Sequence, residues 1–470
     1  MFSTLAKKFS GANLDNSLAA TYQESILYKI WHSLRAISNV VPSSLKLKLA
    51  NGMQVLACLG LIVLAVCLGL KQFATEKEGL AIIVLAIGAL WYGGNLLGGR
   101  EKYRFTYIDV LVMSFLAINF IATCASHYLE ASIFGFAKVL VYGASYFVFS
   151  AVLGQSRKRV ILVLSALLFT ELLVSLYGLY QYKIGVAPLA TWEDPTVENK
   201  GTRIYSTLGN PNLLAGYLLP MVPLSLTLSI VSFLKGKWWL GLPVFGVFAI
   251  ISTACVLTGS RGGYIGLAVC LGAFVLMCTA WLWQTKPKWR ALIAIGLILM
   301  PILVALAVHF APGVEQRVTS IFAGREHSSN SYRLNVWQSS AQMFLDNWWL
   351  GIGPGNKTFR LAYGLYMKSG FDALGTYCVP LEIAVETGFA GLSIFALLLL
   401  STACRAHLNF WQKNDDIGRF ISAGAACAIF GLMAQGLVDT VFLRPQVQLI
   451  FWLCIAIITS LASQEETSQH

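Results

Sequence analysis

Three arginines stand where the chain turns. Arg203 lies ahead of Ser-Thr-Leu-Gly-Asn-Pro-Asn, Arg261 is set in Thr-Gly-Ser-Arg-Gly-Gly, and Arg333 follows Ser-Asn-Ser-Tyr. A guanidinium offers a planar fork that fits two oxygens of a phosphate or carboxylate, and it is costly beside apolar surroundings unless it faces protein or an anion. The three together would make an anion site. Each could instead pair with a local carboxylate or reach toward headgroups. Glu382 and Glu386, four residues apart, share one face of a helix. They would serve either as a base beside the arginines, with Glu382 the candidate, or as salt-bridge partners. Lys138 and Glu171 fall inside apolar runs, where an ionisable group implies a function or a mutual pair. Asp439 is read as a cap or a partner for Arg444. The run Gly351-Ile352-Gly353-Pro354-Gly355 marks a tight turn but lacks the Gly-Lys-Ser/Thr ending of a phosphate loop.

The rest of the composition excludes other chemistry. The 10 cysteines fall mostly inside apolar runs, without paired spacing, and read as small hydrophobes. The 6 histidines are scattered, so no metal site and no cofactor are expected.

These residues must be held by membrane helices. Of 470 residues, 57% are hydrophobic and 12% charged. An ordinary soluble domain has about twice that charged fraction. Apolar runs of bilayer-crossing length recur along the chain. The expected fold is all-α: a polytopic transmembrane helix bundle of about 12 spans, with a large periplasmic loop between spans 9 and 10. The divisions are 1–50, an amphipathic N-terminal segment; 51–311, spans 1 to 9; 312–385, the loop with short surface helices; 386–463, spans 10 to 12; and 464–470, a tail. The net charge of +12 is read as basic cytoplasmic connections rather than as nucleic-acid binding. Arg100, Lys102, Arg104, Arg157, Lys158, Arg159, Lys235, Lys237, Lys286, Lys288, Arg290, Arg405, Lys413 and Arg419 fall on one side. Both termini are therefore expected in the cytoplasm and the large loop outside, in the plasma membrane or, alternatively, the thylakoid.

The loop itself predicts two helices. Asn330 or Ser331 would cap the first, with Leu334, Trp337, Ala341, Phe344 and Leu345 on one face against the membrane. The second would run from Lys357 to Lys368, beyond the glycine turn. Arg325, Lys357 and Arg360 add to the polar character of this stretch.

The motifs TGSRGG, SNSYRLNVWQ, WLGIGPGN and VPLEIAVETGFAGL resemble the O-antigen ligase/polymerase (Wzy_C-type) membrane superfamily. RIYSTLGNPNLLAGYL, TSIFAGREHSSNSYRLNVW and YCVPLEIAVETG resemble one branch more closely, the cyanobacterial IctB family. The superfamily implies about twelve spans, a cavity for a polyprenyl-diphosphate-linked glycan, and outer-face arginines holding the diphosphate. Arg203, Arg261 and Arg333 match those motifs. The branch implies support for bicarbonate accumulation, with bicarbonate and membrane lipid as partners. The ligases place a histidine near the end of the loop as base. Here the corresponding stretch reads Gly375-Thr376-Tyr377-Cys378-Val379-Pro380-Leu381-Glu382 and contains none. The first expectation is thus the inorganic-carbon function, and the alternative is glycan ligation or polymerisation.

Overall fold

The computed structural model describes residues 2–37, 42–75, 78–98, 104–189, 202–310, 312–322, 324, 328–412 and 415–466. Arg325 lies outside them. The chain is a multi-pass helical membrane protein. Eleven helices among the described residues are long and apolar enough to cross a bilayer, beginning with Ser44–Leu68 and ending with Asp416–Gly436. A further helix, Pro445–Glu466, packs against the bundle; its apolar stretch, Pro445–Leu461, is shorter than the eleven spans, where about 12 were expected. The fifth span is Arg157–Ile184, the sixth Pro211–Leu234, the seventh Trp238–Leu257, the eighth Arg261–Thr285 and the ninth Pro287–Leu306. The large connection runs from there to the tenth, Val379–Trp411.

Local chemistry fixes where spans begin. Asn210 accepts from the backbone of Asn212 and Leu213, and Pro211 fills the first helical position, where its missing N–H costs nothing. Gly209 supplies the left-handed residue (φ 70°) that turns the chain into it. Ser260 caps the eighth span by accepting from Gly263 N–H, which leaves Arg261 as its first residue.

Burial across the bundle is uneven. The eleventh span buries 83% of its most apolar window, whereas the eighth and ninth bury only 17% and 6%. The ninth span therefore stands at the edge of the bundle, with Leu292, Ile295 and Ile298 exposed. In a bilayer that surface meets lipid tails, which solvate it without penalty.

The tenth span begins earlier than its sequence suggests. Expected from residue 386, the helix runs Val379–Gln412 and breaks at Gly388 (φ 67°, ψ −168°). Glu382 and Glu386 thus sit on a helical segment ahead of the break. They were expected on one face of a helix, and both carboxylates accept from backbone N–H groups.

The large connection carries helices Pro312–Ile321, Ser328–Asp346 and Asn356–Tyr363. The last stops five residues before the expected Lys368, at Gly364. The Ser328–Asp346 helix buries Val336, Ser339, Ser340 and Met343, while Leu345 is 62% exposed and Ala341 is also exposed. Its buried stripe is therefore the partly polar one. Part of its apolar stripe faces outward, as a helix lying on lipid requires. Exposed Trp348, Trp349 and Phe389 continue that surface, tied by Phe389 N–H donating to Trp348 O at 2.7 Å.

The glycine turn clamps this cap to the bundle. Gly351, Gly353 and Gly355 all have positive φ (71°, 97° and 112°). Ile352 N–H donates to Val385 O, Gly353 N–H to Glu386 O, and Gly355 N–H to a Glu386 carboxylate oxygen at 2.7 Å. On the other side Pro354 O lies 2.0 Å from where a Cβ on Gly135 would stand. Gly135→Val is expected to lower stability by about 1–3 kcal/mol through overpacking against that backbone. Gly246→Ala, whose methyl would meet open space, should be near neutral. Thermal unfolding of the two variants in detergent would compare them.

Candidate functional site

The tip joining the seventh and eighth spans is the centre of the arginine group. Arg203 lies across it, donating from Nε to Thr258 O at 2.9 Å and from Nη2 to Asn212 Oδ1 at 3.0 Å. Ile204 N–H donates to Leu257 O, so the segment before the sixth span is laced to the end of the seventh. Gly259 (φ 61°) is needed there. A Cβ on it would stand 2.9 Å from Arg317 Nε and 3.3 Å from Arg203 Cγ.

Arg261 points from the start of the eighth span to the large connection. It donates to Asn330 Oδ1 at 2.8 Å, Ser329 Oγ at 2.7 Å and Ser320 O at 3.4 Å. It lies within reach of the charges of Arg333 and Arg317. Arg333, half-buried on the Ser328–Asp346 helix, makes no hydrogen bond or ion pair among the described residues; its charge acts on Asp439 and Tyr377. Arg203, Arg261, Arg317 and Arg333 thus form one chain of neighbouring guanidinium groups. Neither Arg261 nor Arg333 is ion-paired to a carboxylate among the described residues.

Arg317 is the member that sequence reasoning missed. It sits on Pro312–Ile321, a short helix of mixed composition, with no flanking glycine or turn motif. Its position against Gly259 and its charge beside Arg261 join it to the others.

Other groups border the cluster. Asp439 is buried and accepts from Val441 N–H. Burial raises its carboxyl above the ordinary range, and Arg333 and then Arg444 pull it back. It therefore faces Arg333 as well as Arg444, beyond the capping role read from the sequence. Tyr377 occupies a left-handed conformation (φ 57°), uncommon for a residue with a Cβ. Its hydroxyl is pushed up to about 12, first by burial and then by Tyr332. At neutral pH it stays protonated, so it can donate a hydrogen bond and is not a base. Tyr377→Phe is therefore expected to leave the alkaline limb of a pH–rate profile in place below pH ~10, the ordinary tyrosine range. A limb that vanished would assign the ionisation to this phenol.

The remaining sequence candidates lie elsewhere. Glu382 is fully buried beside Gly375 and accepts from Thr376 N–H, and Glu386 holds the glycine turn. Both carboxylates are engaged with backbone of the cap. Lys138 is exposed on the fourth span, whereas Glu171 is fully buried in the fifth, with neither oxygen hydrogen-bonded among the described residues. The two do not pair, which removes the reading of a Lys138–Glu171 ion pair. No group of three His, Cys, Asp or Glu side chains suited to a metal ion is gathered among the described residues.

The arginine tip, the cap and the kinked start of the tenth span fall in one stretch of sequence. Residues 246–396 match the family model of O-antigen ligase, Wzy_C. Over that stretch the chain is O-antigen ligase-like, and a multi-pass membrane bundle carries it. None of the curated proteins compared matches the chain. The match covers less than half of the chain and names no inorganic-carbon branch. It includes Arg261, Arg317, Arg333 and Glu382; Arg203, Asp439, Lys138 and Glu171 lie outside it.

Proposed function

We propose that this protein transfers glycan from a polyprenyl-diphosphate-linked donor on the periplasmic face of the plasma membrane, with both termini in the cytoplasm. The observation that carries the reading is the group of four neighbouring arginines, of which Arg333 has no hydrogen-bonding partner among the described residues. Like charges held this close repel, and a diphosphate relieves that repulsion while offering enough oxygens for several guanidinium forks.

The exposed eighth and ninth spans support the lipid half of the substrate. A polyprenyl tail lying in the bilayer can approach Arg261 sideways along them, so the donor need never leave the membrane. In the reaction the acceptor hydroxyl attacks the anomeric carbon. The bond from that carbon to the diphosphate oxygen breaks, and the electron pair leaves with polyprenyl diphosphate. The arginines stabilise the negative charge that grows on the departing oxygens, a service worth most where water is excluded. Asp439, facing Arg333, and the phosphate oxygens are the available acceptors for the hydroxyl proton.

Bicarbonate uptake would call on the same cations but also needs a polar path through the bilayer. Lys138 on the outside of the bundle and the sealed Glu171 do not line one. The test is to supply purified protein in liposomes with a polyprenyl-diphosphate oligosaccharide and a glycan acceptor. Release of polyprenyl diphosphate together with a lengthened acceptor is expected. Intact donor, in vesicles that instead accumulate labelled bicarbonate, would reverse the assignment.

A further inference from the structure

The bundle core holds polar atoms that the outer site does not use. Glu171 is fully buried, and neither of its carboxylate oxygens has a hydrogen-bond partner among the described residues. Ser175, one turn on and so on the same face of the fifth span, is also fully buried with an unpartnered hydroxyl. Tyr217 of the sixth span is the third such group. Its position is set by Gly69. A Cβ there would lie 3.1 Å from the Tyr217 hydroxyl, 2.6 Å from Thr170 Cγ2 and 3.0 Å from Val174 Cγ2. The phenol thus enters the bundle at the turn that carries Glu171.

Among the described residues, Tyr217, Cys255 of the seventh span and Cys454 of the Pro445–Glu466 helix feel the Glu171 charge, and none of these three is basic. Cys58 on the first span answers to Arg159, and Tyr142 and Tyr146 on the fourth answer to Glu78 and Asp109. No salt bridge to Glu171 is made among the described residues, and an unpaired ionised carboxylate is costly in apolar surroundings. A carboxylic acid has no net charge and carries a proton that two nearby hydroxyls can accept.

We propose that Glu171, with Ser175 and Tyr217, forms a proton-binding site sealed in the bundle core. One proton from water adds to a carboxylate oxygen to give the neutral acid, and the same proton leaves to water. The site lies under the strap that holds Arg203. Ser206 Oγ donates to Val174 O at 2.6 Å, Thr207 Oγ1 to Gly69 O at 2.7 Å, and Gln181 Oε1 accepts from the N–H groups of Tyr205 and Ser206. Loss of the proton draws the Ser175 and Tyr217 hydroxyls toward the carboxylate, in the layer on which this strap rests. The inference does not depend on which anion the arginines hold.

Infrared difference spectroscopy of the full chain in liposomes, wild type against Glu171→Gln, tests it. Expected is the carbonyl band of an un-ionised carboxylic acid, absent from the variant, which shifts in heavy water and fades reversibly as the pH is raised. Tyr217→Phe, which keeps the ring and its packing, should move the midpoint of that fading by removing one stabiliser of the anion. A carboxylate band at every pH would overturn the proposal. So would an acid band that neither exchanges nor titrates, or one that sodium ion abolishes at constant pH, which would make the site a cation site.

Discussion

Arg261→Ala is expected to reduce glycan transfer roughly 10²–10³-fold, the range seen when one positioned donor to a developing anion is removed. Arg261 has two roles that must be separated. Its guanidinium faces the cluster with Arg317 and Arg333, and it also ties the eighth span to the cap through Asn330 Oδ1, Ser329 Oγ and Ser320 O. Arg261→Lys keeps the charge but replaces the fork with a single compact ammonium, so it should recover only part of the activity. Asn330→Ala keeps the cation and removes one tether. A typical hydrogen bond contributes about 1 kcal/mol net, so a fall of several-fold is the expected ceiling. The order wild type, Asn330→Ala, Arg261→Lys, Arg261→Ala would place the effect on charge stabilisation. If Asn330→Ala matched Arg261→Ala, the arginine would be a strut for the cap instead. Donor consumption in liposomes, with gel filtration of each variant to confirm folding, provides the measurement.

What made Arg261 visible in the sequence also explains what stayed hidden. Glycines on both sides of it signal a turn too tight for a long side chain to leave the surface, whereas Arg203 and Arg333 were placed beside it by topology alone. Arg317 has no such flank, and its contact with Gly259 is made across the gap between two connections. The spans were legible because a bilayer demands about twenty apolar residues per crossing, which sequence displays directly. The start of the tenth helix was not. Glu382 and Glu386 were expected to share a helical face, but the hydropathy pattern cannot anticipate that Glu386 accepts from the N–H of the distant Gly355 and Glu382 from that of nearby Thr376. The stripe of the cap helix was expected to face the membrane; Ala341 and Leu345 of it are exposed, while Leu334, Trp337 and Phe344 are half-buried. Periodicity gives the stripe and not its direction.

The second large effect lies at the opposite end of the bundle. Asp15→Ala is expected to destabilise the protein by about 3–5 kcal/mol, because it strands a buried cation. Asp15 and Arg405 meet at 2.5 Å, each with only 7% of its side chain exposed. Arg405 also donates to Ser10 O, and Asp15 accepts from Tyr107 N–H at 2.9 Å, so the pair joins the N-terminal segment to the third and tenth spans. Without Asp15 the guanidinium keeps one backbone carbonyl as its anchor. Arg405→Met alone leaves the carboxylate with only the Tyr107 amide. Removing both, as Asp15→Ala with Arg405→Met, abolishes the uncompensated charge and should recover most of the loss, since apolar replacement of a buried pair is often close to neutral. Thermal unfolding in detergent gives the size of each effect. Limited proteolysis between the helices Phe2–Phe9 and Asp15–Glu24 shows where it is felt, with Asp15→Ala cut fastest. Equal losses from the single and double variants would mean that apolar contacts around Ala6 hold the segment and the ion pair adds little.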